Sequence, residues 1–191
     1  MSLVCLFLSC LSSKTIEPER FHSARLQSTL CSTINKERKA RTISPLHSRA
    51  SLAKAAQEYA VHLAKSDYFD HIHLSNPQKR TPLKRALAHG APYISTAENL
   101  AKISALRTVY KQKNFFIIST DPPTFSTSEG GPPLKLHTYQ SASKQLTQGW
   151  LNSPSHRKNL LSKQWTHTGC GASIHIQKNG IPMLIGIQLF Q

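Results

Sequence analysis

The chain predicts an α+β domain in which helices pack on a small antiparallel sheet. Three observations carry that expectation. Between Ser51 and Lys65, Leu52, Ala55, Ala56, Tyr59, Ala60 and Leu63 recur at helical spacing, while Lys54, Gln57, Glu58, His62 and Lys65 take the opposite face. At Thr81-Pro82 and again at Ser153-Pro154 a capping residue precedes a proline, the signature of a helix start. Near the C-terminus, Ile-rich segments at 172–177 and 181–190 flank Asn179-Gly180, a strong signal for a tight hairpin turn.

In order along the chain, residues 1–13 read as a truncated export signal. Leu3 to Leu11 is apolar, far too short to span a bilayer, and lacks the basic start of a complete signal. Phe7-Leu8-Ser9-Cys10 is also a loose lipobox that would lipidate Cys10; a stray apolar terminus or a misplaced start codon is the alternative to the favoured export signal. Residues 14–27 are polar and mixed, and read as a linker. The domain proper is expected over 28–191. A short helix spans Ser28–Arg41 with Leu30, Ile34 and Arg38 on one side, and the Ser51–Lys65 helix follows. Thr81 caps a third helix ending at Gly90, Ser141–Trp150 forms a fourth, and Ser153-Pro154 opens a last one through Leu161. About 104–139 is an insertion, with a strand at Phe115–Ile118 and a Pro/Ser/Thr/Gly loop over 120–133. Lengthening a surface loop costs only about 0.6 kcal/mol per doubling, so the core need not feel it.

A length of 191 residues suits one domain. The formal charge of +15 favours anionic surroundings such as acidic lipid or envelope polymers. The basic residues are scattered, however, without the aromatic interleaving of a single-strand binder or zinc-finger spacing, so no specific nucleic-acid partner is expected. No later stretch is long and apolar enough for a transmembrane helix. With Cys5 and Cys10 in the apolar leader, Cys31 and Cys170 remain; they pair in an oxidising compartment or stay as two buried thiols, and spacing does not decide.

There is no His-Glu-x-x-His zinc motif, no phosphate-cradling glycine loop and no Gly-x-Ser-x-Gly nucleophile turn. What stands out is Glu98, the sole acid between His71 and Thr120. Together with His71 and His156 it forms the one constellation with chemical potential. Two imidazoles and a carboxylate suit a divalent metal such as zinc with a position left for water. The same groups also suit an acid–base pair. Ser153 and Ser155 sit near His156, but a serine before proline is better explained as a cap than as a nucleophile. His62, His73, His137, His167 and His175 lack a comparable setting and read as surface or packing residues.

The order of motifs adds a resemblance. Ile34-Asn35-Lys36-Glu37-Arg38, Tyr68-Phe69-Asp70-His71, Thr81-Pro82-Leu83-Lys84-Arg85, Ala97-Glu98-Asn99-Leu100-Ala101, Trp150 to Asn159 and Gly169-Cys170-Gly171 follow in sequence. Over about Ser28 to Phe190 this resembles a bacterial member of the CAP superfamily, the SCP domain of cysteine-rich secretory proteins, antigen 5 and pathogenesis-related proteins. The resemblance implies a three-layer α-β-α sandwich and places His71, Glu98 and His156 in a central cleft, with Ser153 assisting. The second cleft glutamate of many members is missing after Trp150, which implies weaker metal affinity. It also implies a secreted or cell-envelope protein that binds a lipid, glycan or protein ligand. A metal-assisted hydrolase and a purely structural His/Glu cluster are the alternatives.

Overall fold

The computed structural model describes residues 14–107, 115–120 and 123–191. The expected export signal therefore lies outside the described residues. The elements are α1 (Ser23–Lys39), β1 (His47–Ser48), α2 (Ala50–Lys65), α3 (Pro82–Ala88), β2 (Ala97–Ser104), β3 (Phe116–Thr120), β4 (Pro123–Ser126), α4 (Tyr139–Asn152), α5 (Pro154–Leu161), β5 (His167–Ile176) and β6 (Pro182–Phe190). Two short 3-10 turns, Pro18–Arg20 and Pro77–Lys79, complete them. The main sheet has the order β1-β5-β6-β2; β5–β6 and β2–β6 are antiparallel, and β1 joins β5 in parallel.

The side chains of β6 alternate between two helical layers, as a doubly covered strand requires. Ile185, Ile187 and Leu189 pack with Leu52, Ala56 and Tyr59 of α2, joined by Ala86 and Leu100. On the other face, Leu184 packs with Leu26 and Tyr139, while Leu30, Ile34, Leu146 and Trp150 surround Cys170. The result is the expected three-layer α-β-α sandwich: α2 and α3 outside one face, and α1, α4 and α5 outside the other.

Strand β5 explains the Gly169-Cys170-Gly171 motif. A Cβ on Gly169 would lie 2.1 Å from the Ala53 nitrogen, and one on Gly171 would lie 2.2 Å from the Ala56 carbonyl carbon. The backbone of α2 thus rests directly on β5, at a distance that only glycine permits. The intervening Cys170 faces the other way and is disulfide-bonded to Cys31 of α1, with Cα atoms 6.0 Å apart. This resolves the two thiol alternatives in favour of pairing. A cross-link spanning 139 residues of chain removes about 4–5 kcal/mol of loop entropy from the unfolded state in the chain-entropy account.

The hairpin turn forms where expected, with Gly180 at φ +79 and Gln177 and Ile181 closing the turn by main-chain hydrogen bonds. Strand β5, however, begins at His167 and not at residue 172, because Gly169 and Gly171 weaken the strand signal that α2 packing restores.

Two further expectations need correction. The segment 14–27 is not a linker: Thr15 bridges Thr138, the Ile16 amide donates to the His137 carbonyl, Ile16 is fully buried, and α1 already starts at Ser23. One apolar residue in a polar stretch is enough to anchor it. Within the insertion, residues 123–126 are not loop but strand β4, which pairs with β3 as a separate two-stranded sheet and buries Phe125 against Leu106 and Ile181. Alternation over only four residues is too short to read.

The segment between α2 and α3 contains no long element and is held by an aromatic stack. The His62 ring lies 3.8 Å from that of His73, Tyr59 stacks on both, and His62 Nε2 meets the Tyr68 hydroxyl at 2.6 Å. Tyr59 donates its hydroxyl to the Asp70 carbonyl at 2.6 Å. Burial, the largest cause, lowers the pKa of both His62 and His73 below the usual imidazole value, and the nearby Arg85 cation adds to it.

Two predictions follow from these contacts. Gly171→Ala should force α2 off β5 and lower stability by about 2 kcal/mol or more, read as a shift in the denaturant midpoint. Because His62 and His73 titrate lower when folded than when unfolded, their contribution is complete above about pH 6.5 and is lost as pH falls through the depressed folded values. Thermal stability should therefore drop on acidification below about pH 6.5, and a folded His73→Phe chain should lose part of that acid sensitivity.

Candidate functional site: a histidine pair built on a buried ion pair

Glu98 sits in β2 opposite Leu189 of β6, and its side chain is almost fully buried. Both carboxylate oxygens are engaged. Oε2 accepts from Arg85 Nη2 at 2.6 Å, and Oε1 meets His71 Nδ1 at 2.9 Å. Arg85, on α3 and also buried, donates from Nη1 to the carbonyls of His71, Lys79 and Arg80 at 3.1–3.3 Å. Its guanidinium lies 3.6 Å above the Tyr59 ring, a cation–π contact in a largely dry setting. Burial pushes the Tyr59 hydroxyl pKa well up. Arg85 thus gathers the 71–80 segment around one guanidinium and fixes His71 over β2.

His156 arrives from the other side, in the first turn of α5. Its placement rests on an amide network: Asn99 Nδ2 donates to the His156 carbonyl at 3.1 Å, and Asn159 Nδ2 donates to Asn99 Oδ1 at 3.0 Å and to the Glu98 carbonyl at 3.4 Å. Trp150 Nε1 donates to the Leu100 carbonyl at 3.0 Å. Strand β2 is an edge of the main sheet, and its outward carbonyls at 98 and 100 are covered by these side chains. This accounts for the spacing of Trp150 and Asn159 in their motif. The His71 and His156 rings come to 6.1 Å between centroids at 41°. His156 is held below the usual imidazole pKa by burial first and by His71 second, whereas the His71 side chain is 46% exposed.

The three residues singled out in the sequence thus converge on one place, but as a chain of contacts and not as a metal cage. Among the described residues no group of three or more His, Cys, Asp or Glu side chains is arranged to hold a metal ion. The physical reason is Glu98: one oxygen is tied to a guanidinium that already neutralises it, and the other is tied to His71. Two imidazoles alone fall short of the three protein donors of a catalytic zinc site. The donor set does not fit a divalent metal.

Ser153 is the N-cap residue of α5 by backbone conformation, but its hydroxyl makes no capping hydrogen bond and lies 3.4 Å from the Ser155 hydroxyl. Among the described residues it has no hydrogen bond to His71, Glu98 or His156, so the sequence-based assisting role is not supported by contact. Arg85 is the residue sequence reasoning missed. A lone acid in a chain of 24 Lys and Arg demands a cation, and α3 is the one predicted helix between His71 and Glu98.

Comparison with known proteins agrees with this architecture. The cysteine-rich secretory protein family, CAP, matches residues 31–184. The uncharacterized protein YkwD of Bacillus subtilis (strain 168) is 24% identical over 137 residues, 72% of this chain but 38% of its own length. The chain therefore spans less than half of that relative. Among solved structures, an outer surface protein of Borrelia burgdorferi matches with a TM-score of 0.55 at 20% identity, covering 93% of this chain and 96% of that one. An extracellular SCP-domain protein of Bacillus anthracis str. Ames matches with a TM-score of 0.56 at 18% identity, over 93% of this chain and 44% of that one. These identities speak to the fold, and the family match covers most of the chain. The protein belongs to the CAP, or cysteine-rich secretory protein, family.

Proposed function

We propose that this CAP protein is an exported, non-enzymatic binding module of the cell envelope, whose His71–His156 cleft engages a lipid, glycan or protein ligand. The observation that carries the reading is the burial of Glu98 with both its oxygens engaged. A general base must reach a substrate proton or its water, and a zinc ligand must offer a free lone pair. A carboxylate that is 5% exposed and bonded at both oxygens to Arg85 and His71 does neither. It instead holds a half-exposed imidazole in a defined position. The cleft is pre-organised for contact, which reduces the ordering cost of binding.

An envelope location draws support from the Cys31–Cys170 disulfide, since such bonds persist in oxidising compartments. It also draws support from the two structural neighbours, named as an outer surface and an extracellular protein. The charge of +15 favours an anionic envelope surface as the place of encounter.

The test is sedimentation of the purified chain with isolated bacterial envelopes. Retention should fall in His71→Ala/His156→Ala with the fold intact, and envelopes stripped of lipid, protein or glycan in turn should show which class is bound. Retention equal to wild type in the double variant would defeat the reading. Glu98→Gln leaves the Arg85 guanidinium buried without its counter-charge and should cost about 3–5 kcal/mol of stability. A Glu98→Gln chain of unchanged stability that loses a hydrolytic turnover would instead establish the metal-assisted or acid–base alternative.

A further inference from the structure

We infer that the end of the sheet opposite the histidine cleft carries a second binding site, fitted to an amphipathic lipid with a phosphate headgroup. Glu98 lies across from Leu189 near the end of β6, whereas Pro182 starts that strand. The two ends are about 20 Å apart at the rise of a β-strand. Around Pro182 the N-terminal segment, the β3–β4 hairpin and the β5–β6 turn enclose a cavity of ≈ 300 Å³, lined chiefly by Leu106, Phe125, Leu134, Leu136, Ile176 and Pro182. That volume reaches the lower end of small-molecule sites, and its walls are apolar in the manner of such sites.

A second cavity of ≈ 240 Å³ adjoins it, and Glu17 contributes to the walls of both. Its character is opposite. Lys14, Arg20, His22 and Arg25 converge there with Thr15 and Tyr139. Among the described residues, no carboxylate pairs with Lys14, Arg20 or Arg25, Glu17 included. Tyr139 is buried to 1% exposure, and its hydroxyl accepts from the His22 amide at 3.0 Å. The hydroxyl proton has no acceptor among the described residues and is available to a ligand oxygen in the cavity.

Guanidinium and ammonium groups with a buried hydroxyl donor recognise phosphate oxygens. The apolar cavity on the other side of the Pro18–Arg20 turn would take an acyl chain. Each half alone suits many ligands, but their adjacency selects a molecule with a phosphate at the end of an apolar tail. The rim is held by main-chain bonds from the Ile16 amide to His137 and from the Tyr139 amide to Lys14, so the two halves keep their relation. This site is separate from the cleft and does not depend on the cleft having a ligand.

Calorimetric titration of the full chain tests it with three probes: monomeric short-chain phosphatidic acid, inorganic phosphate, and an alcohol of matched chain length. The phosphatidic acid should bind saturably and about tenfold or more tighter than either half-probe. Arg20→Gln/Arg25→Gln should weaken it by about tenfold or more, the loss of one charge-assisted hydrogen bond at least. Ile176→Glu, at a half-exposed position on the apolar wall, should weaken it too. The charge-matched Lys158→Gln/Lys163→Gln pair should bind as wild type.

An equal loss in the Lys158/Lys163 control would overturn the site in favour of diffuse attraction to a basic chain. Phosphate binding as tight as the lipid would reduce it to a free-phosphate site, alcohol binding as tight would reduce it to an apolar cavity, and no saturable binding would end it. None of these failures touches the cleft, whose own test uses envelope retention of the histidine variants.

Discussion

The buried pair between Arg85 and Glu98 is the constraint on which the placing of His71 beside His156 depends. Removing two charges from water costs several kcal/mol per ion, and a single salt bridge does not reliably recover it. Here most of the remaining hydrogen-bonding capacity is used as well, with Arg85 Nε left as a buried donor without a partner. Arg85 reaches three carbonyls of the 71–80 segment and the face of Tyr59, and Glu98 turns its second oxygen to His71. The pair therefore acts less as a source of net stability than as a register device. A segment with no long element of its own, and so no ladder to position it, is ordered around one guanidinium, and His71 is set by it.

The opposite wall follows a different logic. Strand β2 is an edge, and an exposed edge invites pairing with another chain. Trp150 and Asn159 cover its carbonyls, and Asn99 binds the His156 backbone. The same contacts that protect the edge thus place the second imidazole. Behind them, β5 is fixed from both faces: by the α2 backbone over Gly169 and Gly171, and by the disulfide from α1 to Cys170. The rigid middle layer allows two flanking segments from distant parts of the chain to meet at 6.1 Å.

Much of this was legible in the residues, and the misses have physical causes. Helix α2 was readable because six apolar positions share one face, and the α3 start because Thr81 accepts from the Lys84 amide as a cap should. Glu98, His71 and His156 were legible as a group because special residues crowd around each. Strand β2 was not, since its pattern mixes a buried carboxylate and a buried amide with apolar residues. The ordering of 14–27 was invisible because it rests on Ile16 and a backbone bridge, which leave no periodic trace. The role of Arg85 depended on tertiary contact, which helical spacing does not reveal.

The two buried arginines show why Glu98 is irreplaceable in kind. Arg38 is as buried as Arg85 yet has no carboxylate; it donates to the carbonyls of Ser44, Leu160 and Ser162, and burial lowers its pKa. In a chain with 24 basic and nine acidic residues, main-chain carbonyls are the available partners, and for a guanidinium at a helix end they suffice. Arg85 makes its three carbonyl contacts from Nη1 alone, and among the described residues the partner of Nη2 is Glu98. The neighbourhood differs as well: His62 and His73 lie near Arg85, and its charge adds to burial in lowering the pKa of both. Glu98 gives that guanidinium a counter-charge at 2.6 Å and binds His71 through its other oxygen. Glu98 is thus the partner that the buried Nη2 of Arg85 requires, which accounts for a lone acid in an otherwise basic stretch.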